Sequence, residues 1–132
     1  MPTEYLCLAF MTVFFLYAFL PASYAKLQAY GLPWLASNRD KKPSQELSVW
    51  GRRAERAHEN LKDNFPAFAV AILLLGVTNG FSHLTAIFSG VYVVCRVLHM
   101  FAYVAGYRAL RTAGYSLGLI SNTILFILFF IR

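Results

Sequence analysis

Apolar residues run through this chain in long blocks separated by polar stretches of unequal size. Tyr5 to Tyr24 carries no charged residue, Ala86 to Cys95 and Val97 to Ala105 flank a single arginine, Arg96, and Tyr115 to Ile131 is again uncharged. A helix crosses the hydrocarbon of a bilayer with roughly 20 mostly apolar residues. The pattern therefore predicts an all-α integral membrane protein, a four-transmembrane-helix bundle in one domain over 1–132, with spans near 5–25, 57–78, 84–106 and 114–131.

The second span is the unusual one. Its uninterrupted apolar part, Phe65 to Val77, is too short to cross alone. The helix must extend back through Arg56-Ala57-His58-Glu59-Asn60-Leu61-Lys62-Asp63-Asn64 and bury part of that polar face against its neighbours. Within it Pro66 cannot donate to the carbonyl of Lys62, so a bend is expected just past the polar stretch. Pro21 is expected to kink or end the first helix for the same reason. Between these helices lies a long polar connection, Lys26 to Trp50, with Ser48 to Gly51 marking the approach to the second helix. Asn79-Gly80 supplies the next turn.

Composition agrees with this reading. Of 132 residues, 58% are hydrophobic and 17% aromatic, well above a soluble domain. The net charge of +6 would suit a nucleic-acid binder, but the placement of the charges argues against one. Lys26, Arg39, Lys41, Lys42, Arg52, Arg53, Arg56 and Lys62 lie in or beside the first loop, Arg108 and Arg111 flank the third, and Thr78 to Thr85 has no basic residue. By the positive-inside rule, loops one and three are expected in the cytoplasm and both termini opposite. Cys7 and Cys95 fall in predicted spans without metal or redox spacing, and His58, His83 and His99 form no HxxxH or HExxH pattern, so no metal site is expected. The first segment lacks a basic leader and a small-residue cleavage site, and is expected as a retained helix.

Two polar faces carry the candidate chemistry. Arg56, Asn60 and Asp63 sit at i, i+4 and i+7 on the second helix, and Arg96, His99 and Tyr103 at i, i+3 and i+7 on the third. Arg108, Arg111 and Tyr115 follow, so four arginines, one carboxylate, one amide, one imidazole and two phenols converge at one end of the bundle. Any single pair reads most simply as helix-packing glue, with Asp63 neutralising Arg56 or Arg96. Taken together the cations outnumber the carboxylate, which favours a pocket for an anionic ligand. Tyr5 and Tyr24 read as interfacial aromatics, and Glu59 as a solvated helix-face residue.

Arg56-Ala57-His58-x-Asn60-x-x-Asp63-x-Phe65-Pro66, then Arg96-x-x-His99-x-x-x-Tyr103 and Arg111-x-x-x-Tyr115, resembles the membrane-associated proteins in eicosanoid and glutathione metabolism. The resemblance covers nearly the whole chain and is nearest to short bacterial members related to microsomal glutathione transferase and leukotriene-C synthase. It implies a homotrimer in a bacterial inner membrane, with glutathione as co-substrate between subunits and a lipophilic electrophile or hydroperoxide as second substrate. It also implies Arg111 as the catalytic residue activating the thiol, with Arg56, Asn60, Asp63, Arg96, His99, Tyr103, Arg108 and Tyr115 binding glutathione. Lys26 stands where family enzymes carry a basic residue at the end of the first helix. Two positions depart from the family: Asp63 replaces a glutamate, and Glu59 stands where the prostaglandin-E synthase has an arginine. A non-catalytic membrane protein of the same fold, with a structural or lipid-binding role, is the alternative. A small multidrug transporter fits size and span count but lacks a midplane carboxylate in the first helix.

Overall fold

The computed structural model describes residues 1–132 and is helical throughout, with no strand. The helices are α1 (Thr3–Tyr17), α2 (Leu20–Tyr30), α3 (Leu32–Ala36), α4 (Val49–Val77), α5 (His83–Ala105) and α6 (Arg108–Phe130). Four stretches are long and apolar enough to cross a membrane: Thr3–Tyr30, taking α1 and α2 together, and α4, α5 and α6. At 1.5 Å per residue the shortest of them reaches about 35 Å, enough for a hydrocarbon core of about 30 Å. The chain is an integral, multi-pass membrane protein.

The helix boundaries follow from local chemistry. In an unbroken helix the nitrogen of Pro21 would have to donate to Tyr17, which is where α1 stops; Pro21 itself lies in the first turn of α2, where no donor is needed. α4 starts at Val49, eight residues ahead of the span expected from 57, because Ser48 caps it by accepting from the Gly51 amide at 3.2 Å. It remains helical through Pro66 to Val77. The following turn places Asn79 in the left-handed region (φ 54°), and the Arg132 guanidinium donates to the carbonyls of Thr78 and Asn79 at 2.9 and 2.6 Å. Ser82 and Thr85 then form a capping box that starts α5. Gly106, at φ +87°, ends α5, and Tyr107 is extended, so α6 begins at Arg108 rather than at 114. Loop three is thus a two-residue corner, and Arg108 and Arg111 stand on the first turn of α6.

Packing is closest between α5 and α6. A β-carbon at Gly114 would lie 2.9 Å from the Cys95 carbonyl oxygen and 3.2 Å from the His99 amide nitrogen, so only glycine allows the two backbones this approach. The bundle core is centred on Phe68, which stacks on Tyr92 with centroids 4.0 Å apart, together with Met11, Ile72, Leu75 and Leu125. Leu6, Val13, Val77, Phe101, Ile120 and Phe130 project outward, as expected where the solvent is lipid.

One buried charge escaped the sequence reading. Glu4 is 3% exposed, and its carboxylate accepts from the Thr85 hydroxyl in the first turn of α5, at the opposite end of that helix from Gly106. The charge-free stretch counted from Tyr5 begins one residue after it.

Candidate functional site

The first half of α4, the last turns of α5 and the first turns of α6 meet at one end of the bundle. Their polar residues separate into a buried inner layer, bonded within the chain except at Arg96 Nε and His99 Nε2, and an outer layer whose guanidiniums have no acceptor.

Arg96 is the centre of the inner layer. It is 1% exposed, and its guanidinium donates from Nη1 to Asn60 Oδ1 at 3.1 Å and from Nη2 to the Tyr115 carbonyl at 3.4 Å. The rings of Tyr92 and Tyr115 lie 5.4 and 5.3 Å away, so the cation is held between two aromatic faces. Gly118 makes room: a β-carbon there would sit 3.0 Å from Arg96 Nε. No carboxylate contacts Arg96; the ion pairs of the chain are Lys26–Glu55 and Lys62–Glu59. Asp63 is exposed and pairs with neither Arg56 nor Arg96, so the helix-packing ion pair considered from sequence does not form within the chain.

Asn60 is oriented by its neighbours. Its side-chain oxygen accepts from Arg96, and its carbonyl accepts from Asn64 Nδ2 at 2.8 Å. The Asn60 amide nitrogen is therefore the group left to donate outward. His99 ties α5 to α6: its Nδ1 lies 2.9 Å from the Arg111 carbonyl, and because a carbonyl only accepts, Nδ1 carries the proton. Its Nε2 is buried with no partner, between the rings of Tyr103 and Tyr115.

The outer layer is a pocket of about 210 Å³ lined by Arg53, Arg56, Arg108, Arg111, Tyr103, Gly106 and Ala102. Arg111 stacks over Tyr103 with its guanidinium carbon 4.8 Å from the ring centroid. None of the four guanidiniums has a hydrogen-bonded or ion-paired acceptor in the chain, and no carboxylate lines the cavity. Four like charges facing one small volume repel each other, so the arrangement suits a multiply charged anion with bidentate acceptors.

A second polar cavity, of about 510 Å³, lies on the other side of α4 against α2. It contains Lys26 paired with Glu55 at 2.8 Å, together with Glu59 and Lys62, and it shares Arg56 with the first pocket. Glu59 is 63% exposed in its pair with Lys62, which makes it a surface residue of this cavity.

The structure thus brings Asn60, Arg96, His99 and Tyr115 together inside, and Arg56, Tyr103, Arg108 and Arg111 around the pocket, while Asp63 is exposed and does not line it. Sequence reading missed Arg53. Its signal was available, since it stands one turn before Arg56 on the same helix. It missed Tyr92 and Asn122 as well, whose buried polar atoms have no partner.

The fold and site define an all-α integral membrane protein with an arginine-rich cleft at one end of the bundle. The MAPEG family model matches residues 3–131, and the chain belongs to that family. Its members include glutathione transferases and synthases. No curated protein matches the chain.

Proposed function

We propose that this protein is a membrane-bound glutathione transferase or glutathione-dependent peroxidase acting on lipophilic electrophiles or hydroperoxides. The observation that carries the reading is the pocket of four unpartnered guanidiniums in a chain of this family. Glutathione carries two carboxylates that match arginine forks. The outward amide of Asn60 suits a carbonyl or carboxylate of the peptide, and Asp63 is free to receive its ammonium. A thiol has an ordinary pKa of about 8.5, and a guanidinium beside it favours the thiolate at neutral pH. Arg111 fills that role: its backbone is held by His99 and its side chain by Tyr103.

In conjugation the thiolate sulfur forms a bond to the electrophilic carbon, and the leaving group departs with its bonding pair. In peroxide reduction two glutathione molecules are oxidised to the disulfide while the hydroperoxide becomes an alcohol and water.

The assembly is proposed as a homotrimer with the site between copies. The polar cavities on both sides of α4, joined through Arg56, and the unpaired, exposed Asp63 support a site that one chain leaves incomplete. Arg96 is the exception in this scheme. Its burial and internal partners favour a positioning role behind Asn60 over direct ligand contact.

Turnover tests the proposal. Purified protein is assayed with glutathione and either a dinitro-aryl chloride or an organic hydroperoxide. Wild type should turn over at least one of them, and Arg111→Ala should lower kcat/KM about 100-fold, the usual cost of removing one charge-stabilising group. A correctly assembled wild type inactive with both would count against the reading.

A further inference from the structure

The connection between α2 and α4 is folded, and it stands level with the ends of the membrane helices. Lys26 on α2 pairs with Glu55 on α4 at 2.8 Å, and a β-carbon at Gly51 would come within 2.7 Å of the Ala25 β-carbon. The Arg53 guanidinium of α4 lies against Gly106, at the end of α5. These contacts put Lys26, the first turns of α4 and the α5–α6 corner at one depth. Past Lys26, α2 continues only to Tyr30, about 6 Å further, before the chain turns at Gly31 (φ +80°) into α3. The headgroup layer on each side of the hydrocarbon is about 5–7 Å thick, so α3 stands at headgroup depth.

Its side chains suit that depth. Leu32 is 66% exposed at the start of α3, Pro33 is exposed beside it, and Tyr24 and Leu27 are exposed on the α2 turns that lead there. Apolar and aromatic groups of this kind are stable at a bilayer surface. Trp34 fastens a basic turn to them. Its indole Nε1 donates to the Lys41 carbonyl at 2.9 Å, and its ring packs edge-on against Tyr30 with centroids 4.8 Å apart. The Arg39 guanidinium carbon lies 5.6 Å from the Trp34 ring centroid, and Arg39 Nη2 donates to the Leu35 carbonyl at 3.3 Å. The turn over 39–42 is thus held against α3. Lys41 and Lys42 are exposed and neither is ion-paired; Asp40 is the one carboxylate between Leu27 and Gln45, beside three cations.

We infer that this connection is a membrane-surface element that selects anionic phospholipids: Leu32 and Trp34 enter the headgroup layer, and Lys41 and Lys42 bind the phosphates of the lipids around them. Charge complementarity selects the anionic headgroup. The exposed apolar residues beside the lysines select a lipid over a nucleic acid or an acidic protein. None of these residues lines the arginine pocket, and the inference stands whether or not the chain uses glutathione.

Trp34 reports its own surroundings once Trp50, the other tryptophan of the chain, is replaced. The Trp50→Phe protein, alone and with either Lys41→Gln plus Lys42→Gln or Leu32→Asn, is reconstituted in phosphatidylcholine vesicles. Phosphatidylglycerol or phosphatidylcholine brominated on the acyl chains is then added in increasing proportion, and quenching of Trp34 fluorescence gives the relative affinity of the two lipids. The Trp50→Phe parent should favour phosphatidylglycerol about fivefold, the attraction of about one lysine to an anionic leaflet. The double lysine variant should lose that preference, and salt at about 0.5 M should erode it in the parent. Leu32→Asn should weaken quenching by both lipids alike, because it removes the apolar anchor and leaves the charges. Equal affinity of the parent for the two lipids, an undiminished preference in the double lysine variant, or a Trp34 that neither lipid quenches overturns the inference.

Discussion

Gly114→Ala should be damaging, and Gly90→Ala harmless. The added methyl at Gly114 would stand 2.9 Å from a backbone carbonyl oxygen of α5 and 3.2 Å from a backbone amide nitrogen of the same helix. Neither atom belongs to a side chain that can swing away, so α5 and α6 must separate by a few tenths of an ångström. Overpacking of this kind costs about 1–3 kcal/mol. The displaced atoms belong to Cys95 and His99, and His99 holds the Arg111 carbonyl at 2.9 Å, so about 1 kcal/mol more is lost if that bond lengthens. At Gly90 no atom lies within 4 Å of the new methyl, and alanine gains helix propensity worth about 0.8–1 kcal/mol. The assay is thermal unfolding of both variants in the same detergent, followed by circular dichroism, with glutathione affinity measured on each. Gly114→Ala should melt earlier and bind more weakly, whereas Gly90→Ala should match or exceed wild type. Equal melting of the two variants would refute the reading that the α5–α6 contact leaves no room for a β-carbon at Gly114.

Two further substitutions probe the bundle. The Tyr92 hydroxyl is buried without a partner, so Tyr92→Phe keeps the stack on Phe68 and should leave stability unchanged or raise it by up to about 1 kcal/mol, read by the same melting assay. Thr85→Val keeps the side-chain shape but leaves the Glu4 carboxylate without its donor and removes part of the capping box; a loss of about 2 kcal/mol is expected, and Glu4→Gln in the same background should recover part of it.

Hydropathy was enough to show four membrane helices in order, because crossing hydrocarbon demands long apolar runs and allows few substitutes. The spans it marks begin inside α4 and α6, because both helices carry arginines in their first turns ahead of the apolar run. There the boundary is set by Ser48 as a cap and by the left-handed Gly106, not by hydrophobicity. The helical spacing of Arg56 with Asn60 and of Arg96 with His99 put these residues on shared faces, and the fold brings the two faces together. Spacing along one helix cannot say which residues of a face look inward and which outward. Arg96 and Arg111 look alike in sequence, yet one is sealed between Tyr92 and Tyr115 while the other opens into the pocket. Glu4 was passed over because it lies just outside the apolar run, and its burial depends on Thr85, far away in sequence.

The central claim is that the arginine pocket binds glutathione. Calorimetric titration of glutathione into the detergent-solubilised protein, for wild type, Asn60→Ala and Arg111→Ala, tests it directly. Wild type should give a saturable heat, Asn60→Ala a weaker one, and Arg111→Ala the weakest, while all three retain the same assembly size by light scattering. A correctly assembled wild type that gives no heat of binding would contradict the account.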